Sequence, residues 1–413
     1  MAAAAELPGS ILFEAKEHPG GHCWSHEQHG VFYDEGAHIC HAKDEAWLQR
    51  LFANAGKVIT VPQSRVANHW HGHWTTYPVQ NHLRELPPAL RIQALSDLVS
   101  AQVEYQGRTP AHYAEWIRFQ YGAFLAEQFY REYTDKYWRT PMEAMDLDWL
   151  AGRLLPSQIA RIVHGAIAPH EEKQSVFSTF HYPAKGGFYA FFKPMTESLD
   201  IRLNARLVDV DARRKTLRFE DGRTTSYNRL ISTIPLPDLV AAMREAPDRI
   251  RSCARELRHT RLLVVNILVK KPALSPHHWF YIYDREVDVS RVKVMSNLTP
   301  EGCPPDCTAL QTEIFRRDDE PLDRDRLSAK AVQDMARLLG FDAQRDVAAV
   351  DHIDVSHAYP IPLLGRAAAV EHIVEWLNGQ GIESVGLYGR WKYLWSNEAF
   401  AAGREAGRRA AGP

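Results

Sequence analysis

Two kinds of hydrophobic pattern alternate along the chain. Apolar residues recur every three or four positions over residues 90–103 and 113–129, a spacing typical of amphipathic helices. Over residues 206–211 and 215–220 apolar and polar residues alternate one by one, which predicts half-buried strands. The pattern therefore predicts a largely helical region between about residues 87 and 170, followed by a strand-rich region.

The two ends of the chain show a mixed pattern. Residues 2–7 are strong helix formers, and residues 11–13 form a short apolar run that ends at Glu14. Because strands and helices alternate at both ends, we expect an α/β domain built from distant segments, with a helical insert and a separate β-rich region. The remaining predicted elements are strands at 227–233, 261–269, 279–283, 291–296, 309–315 and 384–387, and helices at 328–340, 366–378 and from 397 onward.

Composition narrows the classes of function. The 413 residues carry Lys+Arg 49 against Asp+Glu 51, a net charge of -2, so charge gives no reason to expect nucleic acid or an anionic membrane as a partner. No apolar run approaches the roughly 20 residues that span a bilayer, and the first residues lack the features of a signal peptide. Five cysteines at scattered spacings do not indicate a disulfide framework. We expect a cytoplasmic protein.

Histidine is the residue type that most invites a metal interpretation. The chain has 20 histidines, including a group between His18 and His41 and the dense run His69, His71 and His73. No Cys/His spacing among them matches a zinc template. We therefore predict no metal site.

The start of the chain carries a weak cofactor signal. In dinucleotide-binding βαβ units, an acidic residue at the end of the second strand binds the adenosine ribose, and Glu14 ends such a strand here. The glycine pair Gly20-Gly21 would let the backbone approach a cofactor closely. Glycine pairs also occur in ordinary turns, so this signal depends on the segment that follows.

That segment resembles a known family. Gly36-Ala37-His38-Ile39-x-His41, after the Glu14 strand and the glycine pair, resembles the flavin-proximal signature of UDP-galactopyranose mutases, within the FAD-dependent amine oxidase superfamily that also includes protoporphyrinogen-oxidase-like flavoproteins. Further matches keep the family's order over residues 11–408. They are Tyr77-Pro78, Glu115-Trp116-Ile117, Tyr133-x-x-Lys136-Tyr137-Trp138, Tyr182-Pro183-x-x-Gly186-Gly187, Ser232-Thr233-Ile234-Pro235, Tyr359-Pro360-Ile361 and Gly386-x-x-Gly389-x-Trp391-x-Tyr393.

The resemblance implies an FAD-binding Rossmann-like domain, a helical insert and an antiparallel β-sheet substrate domain. The implied segments are residues 1–65, 176–240 and 351–413 for the FAD domain, 66–175 for the helical domain and 241–350 for the sheet domain. The residues implied to bind FAD are Glu14, Gly20, Gly21, Gly36, Ala37, His38, Val208, Thr233, Gly386, Asn397, Glu398 and Ala399.

The resemblance also implies a substrate site. Arg291 and His38 would be catalytic, with Arg291 holding a phosphate and His38 tuning the flavin. Tyr359, Trp391 and Tyr393 would line the substrate cleft together with Arg291. The residue types alone leave another interpretation open, in which the aromatics are core residues and Arg291 is a solvated strand residue.

Two departures from the family pattern affect the expected activity. Family members begin with a strand, a G-x-G-x-x-G turn and a helix, and this sequence resembles them only from the end of that helix; either the biological start lies upstream, which we favour, or the chain does not bind FAD. Leu387 also stands where true mutases have an arginine, and Trp395 and Asn397 stand where they have acidic residues. Strict UDP-galactopyranose mutase activity is therefore in doubt.

Three hypotheses follow from the sequence. The first is an FAD-dependent oxidoreductase or mutase acting on a nucleotide sugar or a related polar metabolite. The second is a non-catalytic relative without FAD, and the third is an amine- or porphyrinogen-type oxidase. We expect a small-molecule substrate and neither nucleic-acid nor membrane partners, with homodimerisation left open.

Overall fold

The structure is a computed structural model that describes residues 1–42, 44–150, 153–154, 156–169 and 178–412. Its strands are β1 (Ile11–Phe13), β2 (Ser25–Gln28), β3 (Val31–Asp34), β4 (Val58–Val61), β5 (Val66–Trp70), β6 (His73–Thr76), β7 (Phe180–Pro183), β8 (Asp200–Arg202), β9 (Leu207–Asp211), β10 (Thr216–Phe219), β11 (Thr224–Ser226), β12 (Leu230–Ser232), β13 (His259–Val269), β14 (Trp279–Ile282), β15 (Arg291–Val294), β16 (Thr308–Arg317), β17 (Val347–Pro360) and β18 (Ile382–Ser384).

The α-helices follow the predicted distribution, with a helical region in the first half of the chain. They are α1 (Ala2–Ala5), α2 (Glu45–Ala55), α3 (Pro88–Glu104), α4 (Tyr113–Leu125), α5 (Glu132–Tyr137), α6 (Ile159–Ile167), α7 (Lys193–Glu197), α8 (Leu236–Ala242), α9 (Asp248–Glu256), α10 (Met295–Leu298), α11 (Arg324–Leu339), α12 (Arg366–Gly379), α13 (Gly386–Gly389) and α14 (Ser396–Ala411). A π-helical segment, Ala126–Arg131, joins α4 to α5.

Local sequence signals explain where several helices begin and end. The carboxylate of Asp44 accepts the backbone N–H of Trp47 and caps α2, and Asp323 caps α11 in the same way through Arg326. Such caps satisfy backbone donors that have no partner inside the first helical turn. Gly340 ends α11 in the left-handed conformation, the usual C-terminal stop of a helix.

The largest sheet has seven strands in the order β17-β13-β16-β15-β14-β5-β6. Its pairs are antiparallel except for β14 with β5, which is parallel. Strand β13 is apolar almost throughout because both of its faces are covered: Leu262 and Val264 pack in the core on one side, and Leu263 and Val265 pack on the other side. This sheet is the predicted β-sheet domain.

Two parallel pairs, β1 with β8 and β12 with β18, form the Rossmann-like part of the fold. Beside them lie the antiparallel sheet β11-β10-β9 and a separate core that includes Leu239 of α8, Ile250 of α9 and Ile373 of α12. The predicted fold class, an α/β protein with a helical insert and a sheet domain, is therefore confirmed.

The structure corrects the sequence prediction at several boundaries. The strand predicted at 384–387 ends at Ser384, and α13 begins at Gly386. The large sheet also reaches beyond the predicted segment 241–350, because β5 and β6 come from the segment assigned to the helical domain and β17 continues to Pro360. The sheet is mixed rather than purely antiparallel, since a strand from a distant segment joins it in parallel. Among the described residues, no helix is both long enough and apolar enough to cross a bilayer.

Candidate active site

Two neighbouring cavities lie where the helical insert, the large sheet and the N-terminus of α14 meet. The first, which we call the His38 cavity, has a volume of about 320 Å³ and is lined by residues including Ala37, His38, Lys293 and Tyr359. The second, the tyrosine cavity, has a volume of about 210 Å³. Both are lined by Tyr281, Arg291, Tyr393 and Trp395, so these four side chains form a shared wall.

The tyrosine cavity has a distinctive chemical lining. Nine tyrosines and three arginines (Arg153, Arg161 and Arg291) line it, and among its described lining residues there is no aspartate or glutamate. Arginine suits phosphate and carboxylate groups, whereas tyrosine faces suit a planar base or a sugar. The lining therefore favours an anionic ligand with a flat or sugar-like part.

Arg291 is held on the shared wall by Glu313. Its guanidinium donates from Nε to Oε2 at 2.8 Å and from Nη2 to Oε1 at 2.9 Å, and the two residues lie directly opposite each other on β15 and β16. Burial alone would lower the pKa of Arg291, but Glu313 and nearby tyrosines raise it well above its ordinary value. Arg291 is therefore a fixed cation with a restricted geometry.

Glu313 also holds the segment that the sequence predicts to lie near the flavin. Its Oε1 accepts the backbone N–H of Ala37 at 2.6 Å. Gly36 has φ +105°, and a Cβ on it would lie 3.5 Å from that same oxygen and 3.4 Å from Leu262. Because a side chain at this position would be strained, the glycine allows the loop to approach the carboxylate.

A buried ion pair forms the floor of the His38 cavity. Lys293 Nζ lies 2.6 Å from Asp34 Oδ2 and donates to the carbonyl of His38 at 3.0 Å. Asp34 also accepts Tyr182 Oη–H at 2.8 Å and the N–H of Phe188 at 3.0 Å. Burial alone would raise the pKa of Asp34, but Lys293 and His38 lower it below its ordinary value. The carboxylate is therefore ionised and well bound.

His38 lies on the wall of this cavity. Its ring stacks on Phe188 with centroids 5.1 Å apart, and its buried Nδ1 has no hydrogen-bond partner. Burial lowers the pKa of His38 to about 4, so the ring is neutral at physiological pH. A neutral imidazole with a vacant ring nitrogen can donate or accept one hydrogen bond to a bound group.

A cluster of basic side chains surrounds Glu35 at the edge of the same cavity. Lys16 Nζ contacts both carboxylate oxygens at 2.7 and 2.9 Å, and His22 Nδ1 lies 2.8 Å from Oε2. Burial alone would raise the pKa of Glu35, but the histidine and lysine contacts lower it well below its ordinary range. His22 Nε2 continues the chain of contacts to Tyr388 Oη at 2.8 Å.

The N-terminus of α14 opens onto the His38 cavity. Asn397 and Ala399 in its first turn line the cavity, where free backbone N–H groups and the helix dipole favour an electron-rich group. Glu398 does not line the cavity. Its Oε2 accepts the N–H of Trp395 at 2.7 Å and contacts Arg153 at 3.3 Å. Glu398 therefore stabilises the start of the helix.

The predicted site residues separate into two groups. Ala37, His38, Asn397, Ala399, Arg291, Tyr359 and Tyr393 line the His38 cavity. The other predicted residues line neither cavity: Glu14, Gly20, Gly21, Gly36, Val208, Thr233, Gly386, Glu398 and Trp391. Of these, Glu14 directly follows β1, which pairs with β8, and its carboxylate accepts the N–H of Lys16 at 2.8 Å.

Trp391 differs most from its predicted role. Its side chain is 1% exposed and packs in the core of the Rossmann-like part, 6.4 Å from the ring of Tyr388. Tyr359 and Tyr393, by contrast, stack at 5.2 Å and contribute to the cavity walls. Trp391 is therefore a core residue, whereas Tyr393 lines both cavities and Tyr359 lines the His38 cavity. That the two tyrosines contact a substrate stays a prediction.

Sequence reasoning missed several residues at the site. Lys293 follows Arg291 by two positions, so the strand period of two places both on one face. Glu313 is the one acidic residue of strand β16, whose first eight residues are buried, and a buried carboxylate needs a partner. No local signal pointed to Trp395 as a cavity residue or to Asp34 as the buried partner of Lys293.

The family model for flavin-containing amine oxidoreductases matches residues 1–368. This is most of the chain. The chain belongs to the flavin-containing amine oxidoreductase family.

Several solved structures share the fold of this chain. Reduced UDP-galactopyranose mutase superposes with a TM-score of 0.90 at 24% identity, covering 100% of this chain and 91% of that chain. A candidate protoporphyrinogen oxidase from Exiguobacterium sp. 255-15 gives 0.75 at 16%, covering 99% and 94%. Putrescine oxidase bound to putrescine gives 0.63 at 15%, covering 100% and 96%. Because all three proteins are less than 25% identical to this chain, the superpositions show a shared fold and no more.

The His38 cavity fits the group that defines the family. A flavin ring needs apolar walls, a few hydrogen-bond groups and a favourable dipole near its polar edge. The vacant Nδ1 of His38 and the first turn of α14 supply the polar groups, and Phe188, Leu262 and Val355 supply apolar walls. Family membership and this lining agree with the predicted cofactor, FAD.

Proposed function

We propose that this protein is an FAD-dependent oxidoreductase or mutase that acts on a nucleotide sugar or a related anionic metabolite. One observation carries the proposal: the His38 cavity adjoins a second cavity lined by three arginines, and Arg291 lies on the wall between them. An anionic ligand held there has its reacting end directed toward the cofactor cavity.

The residues of the chain have separate roles in this proposal. Arg291, fixed by Glu313, binds an anionic group of the substrate. Tyr281 and Tyr393 orient the substrate and exclude water from the shared wall. His38 is neutral and offers one hydrogen bond from its vacant nitrogen. Bound FAD would supply the electron-transfer or nucleophilic chemistry that no side chain here provides.

The same lining distinguishes the proposal from an amine oxidase. Putrescine is a dication, and a site for it requires negative or strongly π-rich surroundings. The described lining of the tyrosine cavity has tyrosine rings but also three arginines and no carboxylate. Arginines repel an amine cation, so the lining supports an anionic substrate over a polyamine.

The test begins with the visible spectrum of the purified chain, with and without added FAD. We expect a stoichiometric flavin band. UDP-galactopyranose is then offered to the dithionite-reduced protein with product analysis by chromatography, and putrescine is offered to the oxidised protein with peroxide detection. UDP binding with sugar-nucleotide turnover supports the proposal. Peroxide from putrescine without UDP binding contradicts the proposal and supports the amine oxidase hypothesis. A folded protein without a flavin band also contradicts it and supports the hypothesis of a non-catalytic relative.

A further inference from the structure

Lys136 lies behind the tyrosine cavity and takes no part in the function proposed above. It belongs to α5, whose residues Tyr133 and Tyr137 line that cavity. The residue is only 8% exposed, although burying a lysine ammonium is costly without partners. The groups that contact the ammonium therefore indicate its structural role.

The ammonium of Lys136 has three N–H groups and contacts three backbone carbonyls. It donates to Ile282 O at 2.7 Å, to Val289 O at 2.8 Å and to Asp284 O at 3.0 Å. Every donor of the ammonium is thus used, and all three acceptors belong to one short stretch of chain.

That stretch is the end of β14 and the loop that joins it to β15. Tyr281 and Tyr283 stand at its start, and Arg291 begins the strand that follows it; all three line the tyrosine cavity. On the other side, Tyr133 of α5 contacts the rings of Tyr281 at 5.5 Å and Tyr283 at 5.4 Å. The lysine therefore ties the helical insert to the segment that carries half of the shared wall.

We propose that Lys136 is a positioning residue, whose ammonium fixes the β14–β15 loop and thereby places Tyr281, Tyr283 and Arg291 for ligand binding. The ligand-binding part of this inference rests on the proposed function. The loop-fixing part rests on the three hydrogen bonds alone.

The three hydrogen bonds of Lys136 depend on the charge of its ammonium group. A neutral amine has two N–H groups and a lone pair, so it must release one carbonyl and repel its oxygen. Burial lowers the pKa of Lys136 to about 7; Asp284, Asp288 and Glu286 of the loop raise it in part, and Lys330 of α11 lowers it further. The nearby charges of α5 itself, Glu132 and Asp135, face Arg285 of the same loop. We expect the loop to loosen as pH rises above 7.

The effect on global stability has the opposite sign. The folded-state pKa of Lys136 lies below the ordinary lysine value of 10.5, so between about pH 7 and 10.5 the unfolded chain holds the extra proton. This group's contribution to the free energy of unfolding therefore rises with pH in that window. Weaker ligand binding over the same window cannot then be attributed to unfolding by this group.

The first measurement is hydrogen–deuterium exchange of residues 283–290 in the ligand-free protein at pH 6.0 and 8.5, corrected for intrinsic rates. Losing one hydrogen bond of about 1 kcal/mol corresponds to roughly fivefold faster exchange. We expect that increase in the wild type, fast exchange at both pH values in K136M, and slow exchange at both in K136R, which keeps its charge. K193M, at an exposed lysine on α7, is the matched control and should behave as the wild type does. Exchange in folded K136M that is as slow as in the wild type at pH 6.0 overturns the proposal.

The second measurement is calorimetric titration with UDP at the same two pH values. We expect UDP to bind roughly fivefold more weakly to the wild type at pH 8.5 than at pH 6.0, and this difference to disappear in K136R. If the wild type binds no UDP at either pH, the proposed substrate class is wrong, and the exchange result still decides whether Lys136 fixes the loop. If the exchange rate of residues 283–290 changes with pH but the affinity for UDP does not, the positioning role is wrong.

Discussion

Arg291 pairs with the carboxylate of Glu313 and faces two cavities. Glu313 binds two of its nitrogens through a flat, bidentate contact, and this contact fixes the plane of the guanidinium. A lysine at the same position keeps a positive charge opposite Glu313 but loses the planar fork that recognises phosphate. The geometry of the side chain can therefore be tested separately from its charge.

For R291K we expect UDP affinity to fall about tenfold, because a charge-assisted bidentate contact is replaced by a single one. Calorimetric titration at pH 6.5 measures the change, and the ratio of flavin to protein absorbance reports whether the cofactor site is intact. R261K is the control, since Arg261 pairs with Asp354 at 3.4 Å and lines neither cavity. Equal affinities of R291K and the wild type would remove Arg291 from the ligand site.

At the scale of elements, the cavity floor depends on one close contact between β2 and the turn that follows β7. A Cβ on Gly187 would lie 2.4 Å from Ser25 Cβ and Oγ and 3.2 Å from Asp34 Oδ1. Ser25 Oγ donates to Asp34 Oδ1 at 2.7 Å, so a side chain at position 187 would disturb the acceptor that also binds Phe188. The packing of these two elements therefore requires glycine.

We expect G187A to lower the free energy of unfolding by about 3 kcal/mol or more, through positive φ and steric overlap together. G222A separates the two causes: Gly222 has φ +86° with no atom within 4 Å of an added Cβ, and strain alone should cost about 1 kcal/mol. Urea denaturation followed by circular dichroism gives both values. A G187A protein no less stable than G222A would show that the β2 contact adjusts freely.

For the whole molecule, burial of neutral histidines predicts sensitivity to acid. Among the described residues, five histidines have a pKa lowered to about 4 by burial: His38, His41, His259, His278 and His357. In the unfolded chain they titrate near 6.5. The unfolded state therefore binds more protons between about pH 6.5 and 4, and stability is lost as pH falls through this window.

Each of these histidines contributes up to about 1.4 kcal/mol per pH unit inside the window. We expect the urea midpoint to fall steeply between pH 6.5 and 5, before most carboxylates titrate. Asparagine in the H278N variant is a polar side chain of similar size that cannot titrate. The urea midpoint of this variant should therefore fall less steeply with pH than that of the wild type. A midpoint that is constant from pH 6.5 to 5 would contradict the assignment of these rings as neutral and buried.

The order of strands and helices followed from sequence periodicity because each element is a local pattern. Strand β13 and helices α3 and α12 lie within a few residues of their predicted positions. The strand predicted at 384–387 was wrong because its apolar residues, among them Val385 and Leu387, continue into the short helix α13. A run of so few residues does not distinguish a strand from a helical turn.

The sequence by itself determined the family resemblance, the fold class and the segments that carry His38 and Arg291, since these depend on motifs and on local periodicity. Only the tertiary structure decided that Trp391 is a core residue while Tyr359 and Tyr393 line the His38 cavity, because burial depends on which elements pack together. Only the tertiary structure showed that Asp34 pairs with Lys293, 259 positions away, and that Lys136 binds the β14–β15 loop. These contacts are set by strand register and domain packing, which no local pattern of residues encodes.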